Sequence, residues 1–325
     1  MPPRPLIVRL RNWVGDVILG VPALKLLAAH GHQLHLVGKG WAPALFAGEG
    51  WATHVRAGGW RESVAQLRAL RRAAIAADPG FDGRENALVL VTSFSGALEM
   101  RLAGLRAVGY AQEARGFLLA RSEPITYGGH ALTAYWELAC RFLRITQPPP
   151  REIGLRLAPA DVAAADALLH ERGIAPGFVV ICPFAGGTFE KLDKTWPQFP
   201  QFTRALLQSG RAVIALPGSG EEAQLRDQYA GVIALEGVKL GAYGAILRRA
   251  ALLVSNDTGP GHLAAAVGAP VISVLGPTKP EQWAPWGPTV TIVRRPQAAE
   301  RTEWPEVDEV MQRVQALLAA APTPA

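Results

Sequence analysis

Cysteine is nearly absent: Cys140 and Cys182 are the only two in 325 residues, far apart, and neither belongs to a C-x-x-C pair. That excludes a disulfide scaffold, a zinc ribbon and a dithiol redox motif, and it points to a reducing cytosol. No D-x-D pair is present to hold a divalent ion. The start lacks a basic stretch followed by an apolar run and a small-residue cleavage site, because Met1 to Pro5 leads straight into a strand-like Leu6-Ile7-Val8; a secretory leader is not expected. The longest stretch without a charged side chain, Thr258 to Thr278, has the length of a membrane span. It holds four Gly and three Pro, however, and reads as helix, turn, strand and turn. Charged residues are only 18% of the chain against 49% apolar, and the 34 Gly and 26 Pro are dispersed. Disorder and collagen-like repeats are excluded, leaving a globular chain long enough for two domains.

What charge there is lies unevenly. Residues 1–158 carry 19 basic against 11 acidic side chains, a surplus of +8, whereas residues 159–325 carry 14 against 16, or −2. Such a surplus steers the first half towards an anionic partner: nucleic acid, an acidic membrane surface or a phosphorylated acceptor.

Short β-branched runs alternate with helical patterns. Residues 5–10, 33–37 and 87–92 read as strands, with helices over 17–29 and 61–76. The pattern restarts with Phe178–Cys182, Ala212–Leu216, Leu252–Ser255 and Val271–Leu275. This alternation predicts an α/β fold with parallel sheets. Between the two sets lie Gln147-Pro148-Pro149-Pro150 and an amphipathic helix from Pro159 to Arg172, so the domains are expected at 1–158 and 159–325. The closing pattern over 306–319 places Val307, Val310, Met311, Val314, Leu317 and Leu318 at helical spacing and needs a partner face. Residues 320–325 read as frayed.

Three segments could carry chemistry. Arg11-Asn12-Trp13-Val14-Gly15-Asp16 follows the first strand and opens the first helix, at a carboxyl strand end where ligands of open α/β sheets bind. There Gly15 would permit a tight turn, and Asp16 is either a proton-accepting carboxylate or simply a helix N-cap. The segment Ser255-Asn256-Asp257-Thr258-Gly259-Pro260-Gly261-His262 runs from a buried strand into a small-residue helix, where free N–H groups and the Thr258 hydroxyl suit a phosphate. Gly259, Gly261 and Ala264 also have the G-x-G-x-x-A spacing of a dinucleotide fingerprint. The next strand ends in Gly276-Pro277 with no acid for a ribose, which argues against a dehydrogenase. The third segment, Gly186 to Pro197, reads as a long polar loop after the strand ending at Cys182. Lys194-Thr195 is like the end of a P-loop, but Asp193 stands where that loop needs Gly. Lys194 is either a mobile cation for a diphosphate or an ordinary surface lysine.

Other features are weaker. His30, His32 and His35 straddle a turn with no neighbouring carboxylate or thiol, and packing or solvation suits them better than a metal. Arg68, Arg71 and Arg72 are either a solvated helix face or an acceptor-binding patch. Trp41, Trp51 and Trp60 suit packing, sugar stacking or an interfacial surface.

Taken together, the opening from Leu6 through Trp13-Val14-Gly15-Asp16 to Pro22-Ala23-Leu24, and the stretch Asn256-Asp257-Thr258-Gly259, His262, Ala264-Ala265-Ala266 and Pro270 to Thr278, resemble glycosyltransferase family 9, the bacterial ADP-heptose:lipopolysaccharide heptosyltransferases. The resemblance implies a GT-B fold, two Rossmann-like domains facing across a cleft, with acceptor on the first and nucleotide sugar on the second. It implies inverting transfer of heptose from ADP-heptose to the inner core of lipopolysaccharide without a metal or other cofactor. Asp16 would be the base, and Lys194 would offset diphosphate charge. Thr188, Asp257, Thr258, Gly259 and His262 would bind the donor, with Glu222, next to Glu221, on the ribose. A lipid A-core acceptor at the inner membrane surface would be the partner, with no nucleic acid and no stable protein partner, and the enzyme would be cytoplasmic or peripheral on that membrane. A family 9 enzyme with another donor or acceptor is the second reading, and a non-catalytic anion-binding protein the third.

Overall fold

Every apolar run read as a strand forms one in the computed structural model, which describes residues 4–126, 128–297 and 302–320. The chain divides into two compact units, Met1–Pro150 and Arg151–Ala325. The division falls eight residues before the expected 158. The intervening segment belongs to the second unit, because the Leu155 N–H donates to the Ala266 carbonyl at 2.8 Å and Leu157 lies against Gly244. Residues 321–325 of the tail read as frayed lie outside the described residues.

The first unit contains strands β1 (Arg4–Arg9), β2 (His32–Gly38), β3 (Ala52–Val55), β4 (Ala87–Val89), β5 (Ala107–Tyr110) and β6 (Arg121–Glu123). Its helices are α1 (Val14–Leu19), α2 (Val21–Ala29), α3 (Ala42–Phe46), α4 (Trp60–Ala77), α5 (Phe94–Leu102) and α6 (Ala131–Leu143). The strands are all parallel, in the order β3-β2-β1-β4-β5-β6. Leu6, Ile7 and Val8 of β1 are wholly buried, as expected for a central parallel strand covered on both faces. The expected single helix over 17–29 is two. Gly20 ends α1, and Pro22 near the start of α2 has no N–H to continue the ladder.

The second unit contains α7 (Pro159–Glu171), β7 (Val179–Cys182), a hairpin of β8 (Thr188–Phe189) and β9 (Leu192–Asp193), α8 (Phe199–Leu207), β10 (Val213–Ala215), α9 (Glu222–Gln228) and β11 (Ile233–Ala234). It continues with α10 (Leu240–Arg249), β12 (Leu252–Ser255), α11 (Gly259–Ala266), β13 (Val271–Leu275), α12 (Pro280–Trp283), β14 (Val290–Arg294) and α13 (Val307–Ala320). Its main sheet is parallel, in the order β11-β10-β7-β12-β13-β14. Trp196, Phe199 and Phe202 pack edge-on or tilted with centroids 5.5–5.7 Å apart. Val310 and Val314 of α13 join that core, which is the partner face the closing helix needed. Both units thus share the doubly wound order of a Rossmann fold, in which the chain reverses direction across the sheet, between β1 and β4 in one unit and between β7 and β12 in the other.

Candidate functional site

The polar groups singled out from the sequence gather at these two reversal points, outside the carboxyl ends of the central strands. In the first unit Trp13 is the N-cap of α1 and Asp16 sits in its first turn, so Asp16 is not the cap. Gly15 lies inside the helix without a positive φ, and the tight-turn role expected of it is absent. The Asp16 carboxylate instead accepts from the Tyr135 hydroxyl at 2.9 Å and from Arg11 Nε at 3.3 Å, both on Oδ1. Arg11 Nη1 reaches Thr92 Oγ1 at 3.1 Å and so ties the end of β1 to the end of β4. Tyr135, on α6, is 7% exposed. Burial, reinforced by the Asp16 charge, pushes its hydroxyl well above the usual tyrosine range.

In the second unit the Asn256 side chain is fully buried and staples three segments. Its Oδ1 accepts from the Trp196 N–H at 3.0 Å and its Nδ2 donates to the Pro183 carbonyl at 2.6 Å. This fixes the chain that carries Lys194 beside the ends of β7 and β12. Lys194 Nζ donates to the Asp257 carbonyl at 3.1 Å and to Asp257 Oδ2 at 3.3 Å, and its side chain is 16% exposed, which removes the surface-lysine reading. The buried Thr278 hydroxyl donates to the same Oδ2 at 2.8 Å, and His262 Nε2 lies 3.8 Å from Oδ1. Burial alone would raise the Asp257 carboxyl, but His262, Lys194 and Thr278 outweigh it and hold it at about 2. Thr258 is the N-cap of α11 and its hydroxyl lies 3.6 Å from Cys182 Sγ. Gly259 opens the helix, where the first-turn N–H groups lack intrahelical acceptors. A Cβ at Gly261 would stand 2.9 Å from Ser255 Oγ, so glycine lets the helix start close on the strand end.

Lys194, Asp257, Thr258, Gly259 and His262 are therefore brought together, whereas Thr188 and Glu222 are not in that contact set. Thr188 is exposed on the β8–β9 hairpin, within the stretch expected to be an irregular loop. Glu222 Oε2 accepts from the Gly220 N–H at 2.7 Å, and Glu221 Oε2 from the Gly218 N–H at 2.8 Å. Burial first, and the Glu221 charge with it, pushes the Cys182 thiol up to about 12. Sequence reasoning missed Tyr135 and did not single out Cys182.

The three histidines are engaged separately, His30 Nδ1 lying 2.8 Å from the Leu26 carbonyl oxygen. His32 packs edge-on to Phe142 and burial lowers it to about 4, while His35 stacks on His54. Among the described residues no three His, Cys, Asp or Glu side chains are placed to hold a metal. The arginine patch is partly engaged: Arg71 pairs with Asp82, and Arg68 donates to the Leu102 carbonyl. Large exposed aromatics occur in the segments that follow parallel strands of the first unit, Trp60 among them. They are Trp13 (65%), Trp60 (57%), Phe94 (39%) and Phe117 (75%), the last two with centroids 6.1 Å apart. No helix among the described residues is long and apolar enough to cross a membrane.

The chain is 34% identical to lipopolysaccharide heptosyltransferase 3 of Escherichia coli over 126 residues, 36% of each chain, so the match spans about a third of that curated relative's length. Its fold is similar to that of the E. coli ADP-heptose lps heptosyltransferase II, with TM-score 0.77 and 20% identity over 97% of this chain and 98% of that one. It is also similar to that of the E. coli heptosyltransferase WaaC with ADP, with TM-score 0.71 and 21% identity over 96% and 99%. At such identities the likeness shows the fold, the α/β GT-B class. The sequence profile of glycosyltransferase family 9 (heptosyltransferase) matches residues 83–310, most of the chain, and the protein belongs to that family.

Proposed function

We propose that the protein is an inverting, metal-independent glycosyltransferase that moves a heptose from ADP-heptose to the inner core of lipopolysaccharide. The observation that carries this reading is the Lys194–Asp257–Thr278–His262 cluster at the start of α11, a fixed cradle of an ammonium and polar donors of the kind a leaving diphosphate needs. In this reading the first unit binds the acceptor and the second the donor. Asp16 accepts the acceptor hydroxyl's proton, the freed oxygen pair attacks the anomeric carbon from the far side, and the bond to ADP breaks with its electrons staying on the phosphate. Lys194, the Thr258 hydroxyl, the Gly259 amide and His262 offset the charge that grows there, each such donor contributing about 3 kcal/mol to the transition state. Thr188 adds a phosphate contact from the hairpin, Asp257 holds Lys194 in place, and Glu222 with Glu221 forms the acidic turn for ribose hydroxyls. The WaaC structure with ADP supports the choice of nucleotide. The exposed aromatics and the basic surplus of the first unit suit a sugar-bearing, lipid-linked acceptor at the cytoplasmic face of the inner membrane.

A panel of nucleotide sugars, scored by thermal shift and by nucleotide release in excess EDTA, tests this reading. ADP-heptose should stabilise the protein and release ADP only when a heptose-deficient core acceptor is present. Release from a different nucleotide sugar alone would favour the second reading, a family 9 enzyme with another donor, since the cluster recognises diphosphate rather than sugar. A strict requirement for added Mg²⁺ or Mn²⁺ would overturn the metal-free mechanism.

A further inference from the structure

A base can take a proton only through a lone pair that is free and aimed. In the first unit Asp16 has two hydrogen-bond donors, and both act on the same oxygen. The Tyr135 hydroxyl lies 2.9 Å and Arg11 Nε 3.3 Å from Oδ1. Oδ2 has no partner among the described residues. The donors come from independent directions, Arg11 from the end of β1, itself held by Thr92, and Tyr135 from α6, 119 residues away along the chain. Two donors on one oxygen restrict rotation of the carboxylate and leave the second oxygen without a partner among the described residues.

We infer that Tyr135 is a positioning residue for the transfer reaction: its hydroxyl locks the Asp16 carboxylate through Oδ1 so that Oδ2 alone meets the acceptor hydroxyl. The inference rests on the reading of Asp16 as the base. The Tyr135 ring is buried, so the hydroxyl is held by packing on α6 and not by solvent. The other charged or titratable groups around the pair are Arg11, Tyr110 on β5 and Glu113 beyond it. None of these can replace the lost donor if the hydroxyl is removed, because Arg11 already bonds Asp16 and Thr92, Tyr110 donates to the Ala134 carbonyl and Glu113 accepts from the Phe94 N–H.

Tyr135→Phe removes one oxygen and keeps the buried ring. It should lower kcat about 10- to 50-fold, the effect of one hydrogen bond to a charged group, with the KM for ADP-heptose within about twofold of wild type. Tyr110→Phe serves as the control: it removes a buried hydroxyl that bonds only backbone, and should lower thermal stability without lowering kcat. In an Asp16→Asn background, Tyr135→Phe should have no further effect on kcat. If Tyr135→Phe leaves kcat unchanged while Asp16→Asn lowers it at least ~100-fold, the positioning role is wrong and the base assignment stands. If Tyr135→Phe slows both backgrounds equally, Tyr135 acts independently of Asp16 and the inference is again overturned. Full activity of Asp16→Asn would instead remove the base assignment itself.

Discussion

Lys194 and Asp257 form an ion pair whose value lies in where it holds the ammonium. Removing the lysine by Lys194→Ala should weaken ADP binding by about 10-fold or more and slow transfer by about 100-fold, if the cation meets both ground-state and developing phosphate charge as proposed. Calorimetry with ADP and turnover at saturating donor check this, and unchanged values in both would leave Lys194 without a role. Asp257 has a pH signature of its own. Its carboxyl sits at about 2 in the folded chain against the ordinary 3.8. A depressed carboxyl contributes stability above its unfolded value and loses it as pH falls through the folded one. The contribution, about 2 kcal/mol, should therefore be intact at neutral pH and disappear between about pH 4 and pH 2. Urea midpoints across that window should fall more steeply for the wild type than for Asp257→Asn, and parallel curves would contradict the assignment. The placement of Asp16 and Lys194 beside strand ends was legible because each stands in a local pattern there. Tyr135 was not legible, because its contact to Asp16 spans 119 residues and the helix carrying it shows only an apolar face.

Among the elements, the β8–β9 hairpin shows what local pattern could not reveal. Its turn residues, Glu190 and Lys191, have φ of 50° and 69°, the left-handed geometry of a two-residue hairpin that Asn-Gly would adopt with less strain. A sequence with no Asn or Gly at those positions gives no hairpin signal, so the stretch reads as loop. Replacing Glu190→Asn together with Lys191→Gly should relieve about 1 kcal/mol of strain and raise the melting temperature by about 2–4 °C. Differential scanning calorimetry decides, and a lower melting temperature would show that the exposed Glu190–Lys279 ion pair outweighs the strain. Strands β1, β2, β4, β7, β10, β12 and β13 were legible as apolar, often β-branched runs because they are largely buried, whereas the interior β5, Ala-Val-Gly-Tyr, has one β-branched residue and was not read. Edge strands were not: β3 contains His54 and is half-exposed, and β6 is Arg-Ser-Glu, recruited by backbone pairing to β5 and not by hydrophobicity.

For the whole molecule, sequence alternation was enough to predict two doubly wound units, because each repeats the strand–helix rhythm a parallel sheet requires. The boundary was less legible, since the backbone hydrogen bond of Leu155 to Ala266 has no local signature. The basic surplus of the first unit has a measurable consequence. Binding to anionic vesicles should weaken several-fold as salt rises from about 0.15 M to about 0.5 M, where screening shortens the reach of exposed charge below ~8 Å. Changing Arg72 and Arg61, both exposed on α4 with Arg61 over the Trp60 ring, to Gln should weaken it further, and salt-independent binding in cosedimentation would contradict an electrostatic contact. The central claim, that Asp16 drives heptose transfer from ADP-heptose, is tested most directly by incubating wild type and Asp16→Asn with ADP-heptose and a heptose-deficient core acceptor, measuring acceptor mass and ADP together. The wild type should add one heptose per ADP released, and Asp16→Asn should bind ADP normally while turning over at least ~100-fold more slowly. An acceptor of unchanged mass with wild type, or near-normal transfer by Asp16→Asn, would contradict it.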